Sequence, residues 1–206
     1  MSSKPSVSGE PCRNIDWLRT SACPLWTCPS SDCVLRNALA LNEILLPLLQ
    51  NAAVMTFVDP YFFPNKRFGE PYKLHLASIA AASHVRVQGS RALTLVCAVD
   101  AGKPACPAAE FKRSCEGVLP SWLPEGLTLN VYRIKSYPGK QEIHNRYILT
   151  DIGGVSFGHG TDRSDNDSYD DINLLSARQF SHWKAAYTPG SSDFDWSEPP
   201  VTITRP

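Results

Sequence analysis

At 206 residues, with 43% hydrophobic and 19% charged side chains, the chain is long enough for one well-packed domain and short for two. Twenty basic residues balance twenty acidic ones, so bulk charge gives no reason to expect nucleic acid or membrane binding, and attraction to an anion has to be local. Apolar runs such as "EILLPLL" are too short for a transmembrane segment.

The opening "MSSKPSVSGEPCRN" lacks the apolar core of a signal peptide. Seven cysteines without an export signal fit a reducing compartment, and a cytoplasmic protein is expected. Residues 1–31 are rich in Cys, Pro and Ser without a sustained period and read as an irregular extension. From Asp32, a candidate N-cap, Val34, Leu35, Ala38, Leu41, Leu45 and Leu48 recur at helical spacing, with Pro47 expected to kink or end the helix. "VMTFVDPYFF" reads as a buried strand running into a loop at Asp59-Pro60. "PYKLHLASIAAASH" returns to helical spacing, with His75 near the apolar face as a packed histidine and His84 at the helix end. "ALTLVCAV" (92–99) is a strand of the kind covered on both faces. A helix over 107–118 leads to the strand "LTLNVYRI" (127–134).

The style then changes. "IHNRYILT" turns through "DIGG" and returns as "VSFG", which predicts a hairpin. After the acidic loop "TDRSDNDSYDD", expected to be solvated, a strand "INLL" precedes a helix in "SARQFSHWKAAY". The segment 188–206 is Pro- and Ser-rich and reads as a flexible tail. Early alternation of strands with helices and a late hairpin predict an α/β fold, a mixed β-sheet flanked by helices, over residues 32–187.

Within the hairpin, His144 and Arg146 stand two apart, so a strand would project both from one face. Asp151 lies at the turn, where it could reach back to either. Gly158 and Gly160 would let backbone amides approach an anion closely. Arg133, Lys135, Lys140 and Arg146 against Glu142 make the local field positive. An imidazole, a guanidinium and open amides form a candidate phosphate site; the competing reading is a solvated polar hairpin.

These residues carry a family resemblance. "HNRYILTD" resembles the H-x-K-x-x-x-x-D pattern of the phospholipase D superfamily, with Arg146 in the lysine position, and "GHGT" (Gly158, His159, Gly160, Thr161) stands where that family has G-S-x-N. "FVDPYF" looks like an early strand of the same domain and "DDINLLSARQFSHW" like its closing strand and helix. A closer likeness is to the phospholipase-D-like domain at the C-terminus of MIT-domain proteins, whose H-x-R … G-x-G-x-D string matches His144, Arg146, Gly158, Gly160 and Asp162. Those domains are regarded as binding modules for acidic lipid headgroups, and bacterial relatives stand beside conflict and phage-defence proteins.

The resemblance implies a metal-independent phosphodiesterase, most naturally a nuclease working through a phosphohistidine, with no cofactor. His144 would be the nucleophile. Arg146 would clamp the phosphate, with Gly158, His159, Gly160 and Thr161 as further substrate contacts. Asp151, or an acid before the closing strand (Asp171, with Asp170 as its neighbour), would orient His144. The competing implication is a catalytically silent module that binds phosphates or acidic headgroups. Because the chain carries one motif where the family's reaction uses two histidines, a homodimer is expected, with Phe157, Phe180 and Trp183 as interface candidates. Cys12, Cys23, Cys28 and Cys33 lack the tight C-x2-C knuckle of a zinc site, and Tyr169 defeats an EF-hand reading of the acidic loop.

Overall fold

The computed structural model describes residues 31–86, 92–100, 106–164, 166 and 168–205. The predicted α/β class is what forms: a nine-stranded mixed sheet with helices on both faces. In chain order the elements are β1 (Ser31–Leu35), α1 (Ala38–Asn51), β2 (Val54–Val58), α2 (Lys66–Arg86), β3 (Ala92–Ala98), α3 (Ala108–Val118), β4 (Thr128–Ser136), β5 (Arg146–Thr150), β6 (Gly154–Phe157), β7 (Tyr169–Leu174), α4 (Ala177–Ala186), β8 (Phe194–Asp195) and β9 (Val201–Thr204). The spatial order is β1-β7-β6-β5-β2-β3-β4-β8, with β9 also pairing β4. The run β2-β3-β4 is parallel, and every other pairing is antiparallel.

Alternation along the central strands divides the core in two. Phe57, Leu95 and Ile148 join Leu41, Leu45, Tyr72 and Ile79 of α1 and α2 in the larger cluster. Their neighbours Val58, Val96, Tyr147 and Leu149 point the other way and join Ala186, Tyr187 and Phe194. Helix α4 seats this second layer: Trp183 stacks on Tyr147 at 5.0 Å between ring centroids. The three aromatics suggested for a dimer interface therefore have work inside the chain. Phe157 is buried in the first cluster, and Phe180 and Trp183 pack against the second.

Three sequence expectations are corrected. Asp32 does not cap a helix: it lies in β1, opposite Ile172 of β7. The helix begins at Ala38, where the Asn37 side chain accepts the Ala40 amide at 2.9 Å, and it continues through Pro47 to Asn51. The tail is not loose. The β-branched alternation of "VTIT" has the strand period, so Ile203 is buried opposite Leu129, and Phe194 stacks on Tyr187 at 5.1 Å. The acidic loop is only partly solvated, since Asp162 and Asp170 are buried. Cys12, Cys23 and Cys28 lie outside the described residues, and Cys33 is exposed. No helix among the described residues is long and apolar enough to cross a membrane.

Candidate functional site

The carboxyl end of β2, the start of antiparallel β5 and the end of β6 meet at one edge of the sheet. Open α/β sheets bind ligands outside the carboxyl ends of their parallel strands, and a cavity of about 550 Å³ lies here, lined among others by Asp59, Tyr61, Arg67, Arg146, His159 and Asp162.

Arg146 is the first residue of β5 and the centre of the site. Its guanidinium lies over the Tyr61 ring at 4.5 Å, and Nη1 donates to the Gly158 carbonyl at 3.1 Å. Nε is buried and has no hydrogen-bond partner among the described residues. His144 lies before the strand begins, and its exposed imidazole places Nδ1 3.2 Å from the Tyr61 hydroxyl. The two predicted side chains thus meet through Tyr61, not through strand alternation.

The third element is His159. Both oxygens of Asp170 accept its backbone amide at 3.0 Å, and Oδ1 lies 3.3 Å from Nδ1. Asp170 is 2% exposed and the His159 side chain 65% exposed, so a fixed acceptor holds an accessible ring. With Nδ1–H donating to the carboxylate, the Nε2 lone pair faces outward.

The glycines serve close approach. A Cβ on Gly158 would stand 2.6 Å from Asp170 Oδ1. A Cβ on Gly160, whose φ is +112°, would stand 2.8 Å from Asp59 Oδ2 and 3.5 Å from Arg146 Nε. The expected cradle of open amides is not formed at Gly158 and His159. The His159 amide is taken by Asp170, and the Gly158 amide donates to the Asp171 carbonyl at 3.3 Å.

Other assignments change as well. Asp151 sits at the far end of β5, about 17 Å along the strand from Arg146, and accepts the Ala53 and Val54 amides at 2.8 and 3.2 Å. It secures the turn into β2 and does not orient His144. Asp171 is exposed, and strand alternation turns inward its neighbour Asp170, which serves His159 and not His144. Thr161 is buried, its hydroxyl donating to the Tyr72 hydroxyl at 3.2 Å, so it braces the loop and is no substrate contact.

Asp59, Tyr61 and Arg67, which the sequence reading missed, line the cavity. Asp162 joins Arg36, at 2.8 Å, to Arg67 on α2. Pro71 explains the join: lacking an N–H, it leaves the Arg67 carbonyl four residues earlier without its helical donor, and the Arg163 amide fills the gap at 3.2 Å. Asp59 is buried, its Oδ1 accepting the Tyr61 amide at 3.0 Å and its Oδ2 without a partner among the described residues. Burial, assisted by nearby Asp162, pushes its carboxyl up to about 7 against the pull of the Tyr61 amide and Arg146. The one available signal was its place: an acid directly after a buried parallel strand stands at the carboxyl edge of the sheet. Among the described residues no group of three or more His, Cys, Asp or Glu side chains is placed to hold a metal ion.

No family model and no curated protein matches the chain. Among solved structures it is similar to TrmBL2, an archaeal chromatin protein with a novel mode of DNA binding, at 11% identity and a TM-score of 0.37. The likeness covers 82% of this chain and 55% of that one, so the chain spans about half the length of that protein. At this level of likeness, function has to be argued from the site itself.

Proposed function

We propose that the chain is a metal-independent phosphodiesterase that works through a phosphohistidine, as its resemblance to the phospholipase D superfamily implies. The observation that carries this reading is the His159–Asp170 pair beside Arg146 at an open cavity. An imidazole whose Nδ1–H is held by a buried carboxylate has its Nε2 lone pair free for attack. The nucleophile is therefore His159, and His144 takes the acid role.

In the proposed reaction His159 Nε2 forms a bond to phosphorus as the bond to the leaving oxygen breaks. His144, entering as imidazolium, gives that oxygen its proton. It then accepts a proton from the water that attacks phosphorus and breaks the P–N bond, which restores both rings. Arg146 and Arg67 offset the charge that develops on the phosphoryl oxygens. Both imidazoles belong to one chain, so the twofold assembly expected from a single motif is no longer required by the chemistry.

One observation favours a second reading, a module that binds phosphate groups without cleaving them. The His144 ring meets a tyrosine hydroxyl at Nδ1 and no carboxylate, so its tautomer is less firmly set than that of His159. Incubation with DNA, RNA and a chromogenic phosphodiester in excess EDTA separates the two. Turnover that resists EDTA and is lost in both His159→Ala and His144→Ala supports the phosphodiesterase; phosphate binding with no turnover on any substrate leaves the module.

A further inference from the structure

The cavity has a second pole, away from Arg146. There Arg133 of β4 is 6% exposed and lines the wall together with Phe63, Phe111 and Cys106. Its guanidinium lies over the Phe111 ring at 4.8 Å, and Nη2 donates to the Cys106 carbonyl at 2.9 Å. Nε faces Glu198 at 3.5 Å, while Nη1 is buried with no hydrogen-bond partner among the described residues. Phe63 stands edge-on to Phe111, with ring centroids 6.1 Å apart.

A buried donor left without an acceptor is uncommon, because it has lost its water and gained nothing in return. A ligand acceptor would complete it. Glu198 bears on which kind: although shared with Lys135 at 3.8 Å, it is the carboxylate beside the buried Arg133 and offsets part of its charge, which favours a neutral acceptor over a second full anion. A neutral carbonyl or ring nitrogen suits Nη1 better. The aromatic side chains along the cavity favour a flat ring over an acyl chain or a sugar.

We infer that the cavity takes a single nucleotide unit, with its phosphate at Arg146 and His159 and its base at Phe63, Phe111 and Arg133. The inference rests on the phosphate reading above and adds the substrate class. A single cavity with a phosphate pole and a base pole fits a terminal nucleotide or a free mononucleotide, whereas a polymer bound internally needs a groove that tracks several phosphates.

Calorimetric titrations with inorganic phosphate, ribose 5-phosphate and the four nucleoside 5′-monophosphates test it. At least one nucleotide should bind ten or more times tighter than ribose 5-phosphate. That ratio should fall toward one in Arg133→Met and in Phe63→Leu, each checked for a cooperative melt; the partly exposed Phe63 guards against a failure of the Arg133 variant to fold. Equal affinity for ribose 5-phosphate and every nucleotide overturns the base subsite and leaves the phosphate site standing. Failure of phosphate, ribose 5-phosphate and nucleotides alike to bind overturns both.

Discussion

Asp170 holds His159 at two points, the backbone amide at 3.0 Å and the ring Nδ1 at 3.3 Å. The loop and the imidazole are therefore set by one buried carboxylate, and the orientation of the ring is inherited from β7. Asp170→Asn keeps an oxygen for the amide but turns an NH2 toward Nδ1. The tautomer with hydrogen on Nε2 is then favoured, and the lone pair needed for attack is lost. Turnover should fall by about 10²–10⁴-fold, with KM little changed. Nitrogen NMR of the labelled imidazole should show the proton moving from Nδ1 to Nε2; an unaltered tautomer alongside lost activity would mean that Asp170 acts only through the fold.

Gly158 and Gly160 separate function from stability. Gly158→Ala drives a Cβ into Asp170 Oδ1 and should displace the carboxylate from His159, cutting turnover by at least tenfold. Gly160→Ala meets Asp59 and places a side chain at φ +112°. It should cost roughly 1–3 kcal/mol in urea unfolding. A Gly160→Ala protein as stable as the parent would show that the loop re-forms without its left-handed residue.

Asp151→Ala provides the contrast. The carboxylate serves the Ala53 and Val54 amides at the far end of β5. Its loss should lower stability by about 1–3 kcal/mol, as unmet amides do, while kcat stays within about twofold of the parent at a temperature where the variant is folded. A large drop in kcat for the folded variant would restore Asp151 to the catalytic set.

The proposed reaction uses two imidazoles of one chain and so predicts an active monomer. Light scattering coupled to an activity assay across a concentration series checks this. Specific activity should be independent of protein concentration wherever the monomer predominates. Activity confined to a dimer fraction would return one imidazole to a second copy.

Much of the fold was legible because the strands and helices announce their periods: "ALTLVCAV" and "LTLNVYRI" form β3 and β4 with shifts of a residue or two at their ends. That His144 and Arg146 lie near one another was legible in the sequence, although Tyr61 and not strand alternation brings them together. What pairs with them was not. Asp151 and Asp171 stand close to the motif in sequence, yet strand length carries the first to the opposite edge and strand alternation turns the second outward. Asp59 and Arg67 reach the site by parallel strand order and by a carbonyl freed at Pro71, neither of which has a local sequence signature. The tail was misread because composition hid a period: Pro and Ser surround "VTIT", whose four residues suffice to pair with β4.

Two buried groups tilt the pH dependence of stability in opposite directions. Asp59 is raised from 3.8 to about 7, chiefly by burial. Between those values the folded chain holds a proton that the unfolded chain has released, so this group's contribution is full at low pH and is lost as pH rises toward 7. His75 is lowered from 6.5 to about 3, again by burial, with Nδ1 3.1 Å from Asn42 Oδ1. Between those values the unfolded chain binds a proton that the folded chain refuses, so its contribution is full above 6.5 and is lost as pH falls. Each slope is about 1.4 kcal/mol per pH unit, and from pH 4 to 6.5 they oppose one another. Relative to the parent, Asp59→Asn should gain stability as pH rises through this window, by roughly 3 kcal/mol in all. His75→Gln should gain it as pH falls, by a similar amount. Urea unfolding of the three proteins at pH 4.5, 5.5 and 6.5 measures both differences. Parallel profiles for parent and Asp59→Asn would mean that the carboxyl is already ionised in the folded chain, and that its hold on the Arg146 side of the cavity is that of an anion.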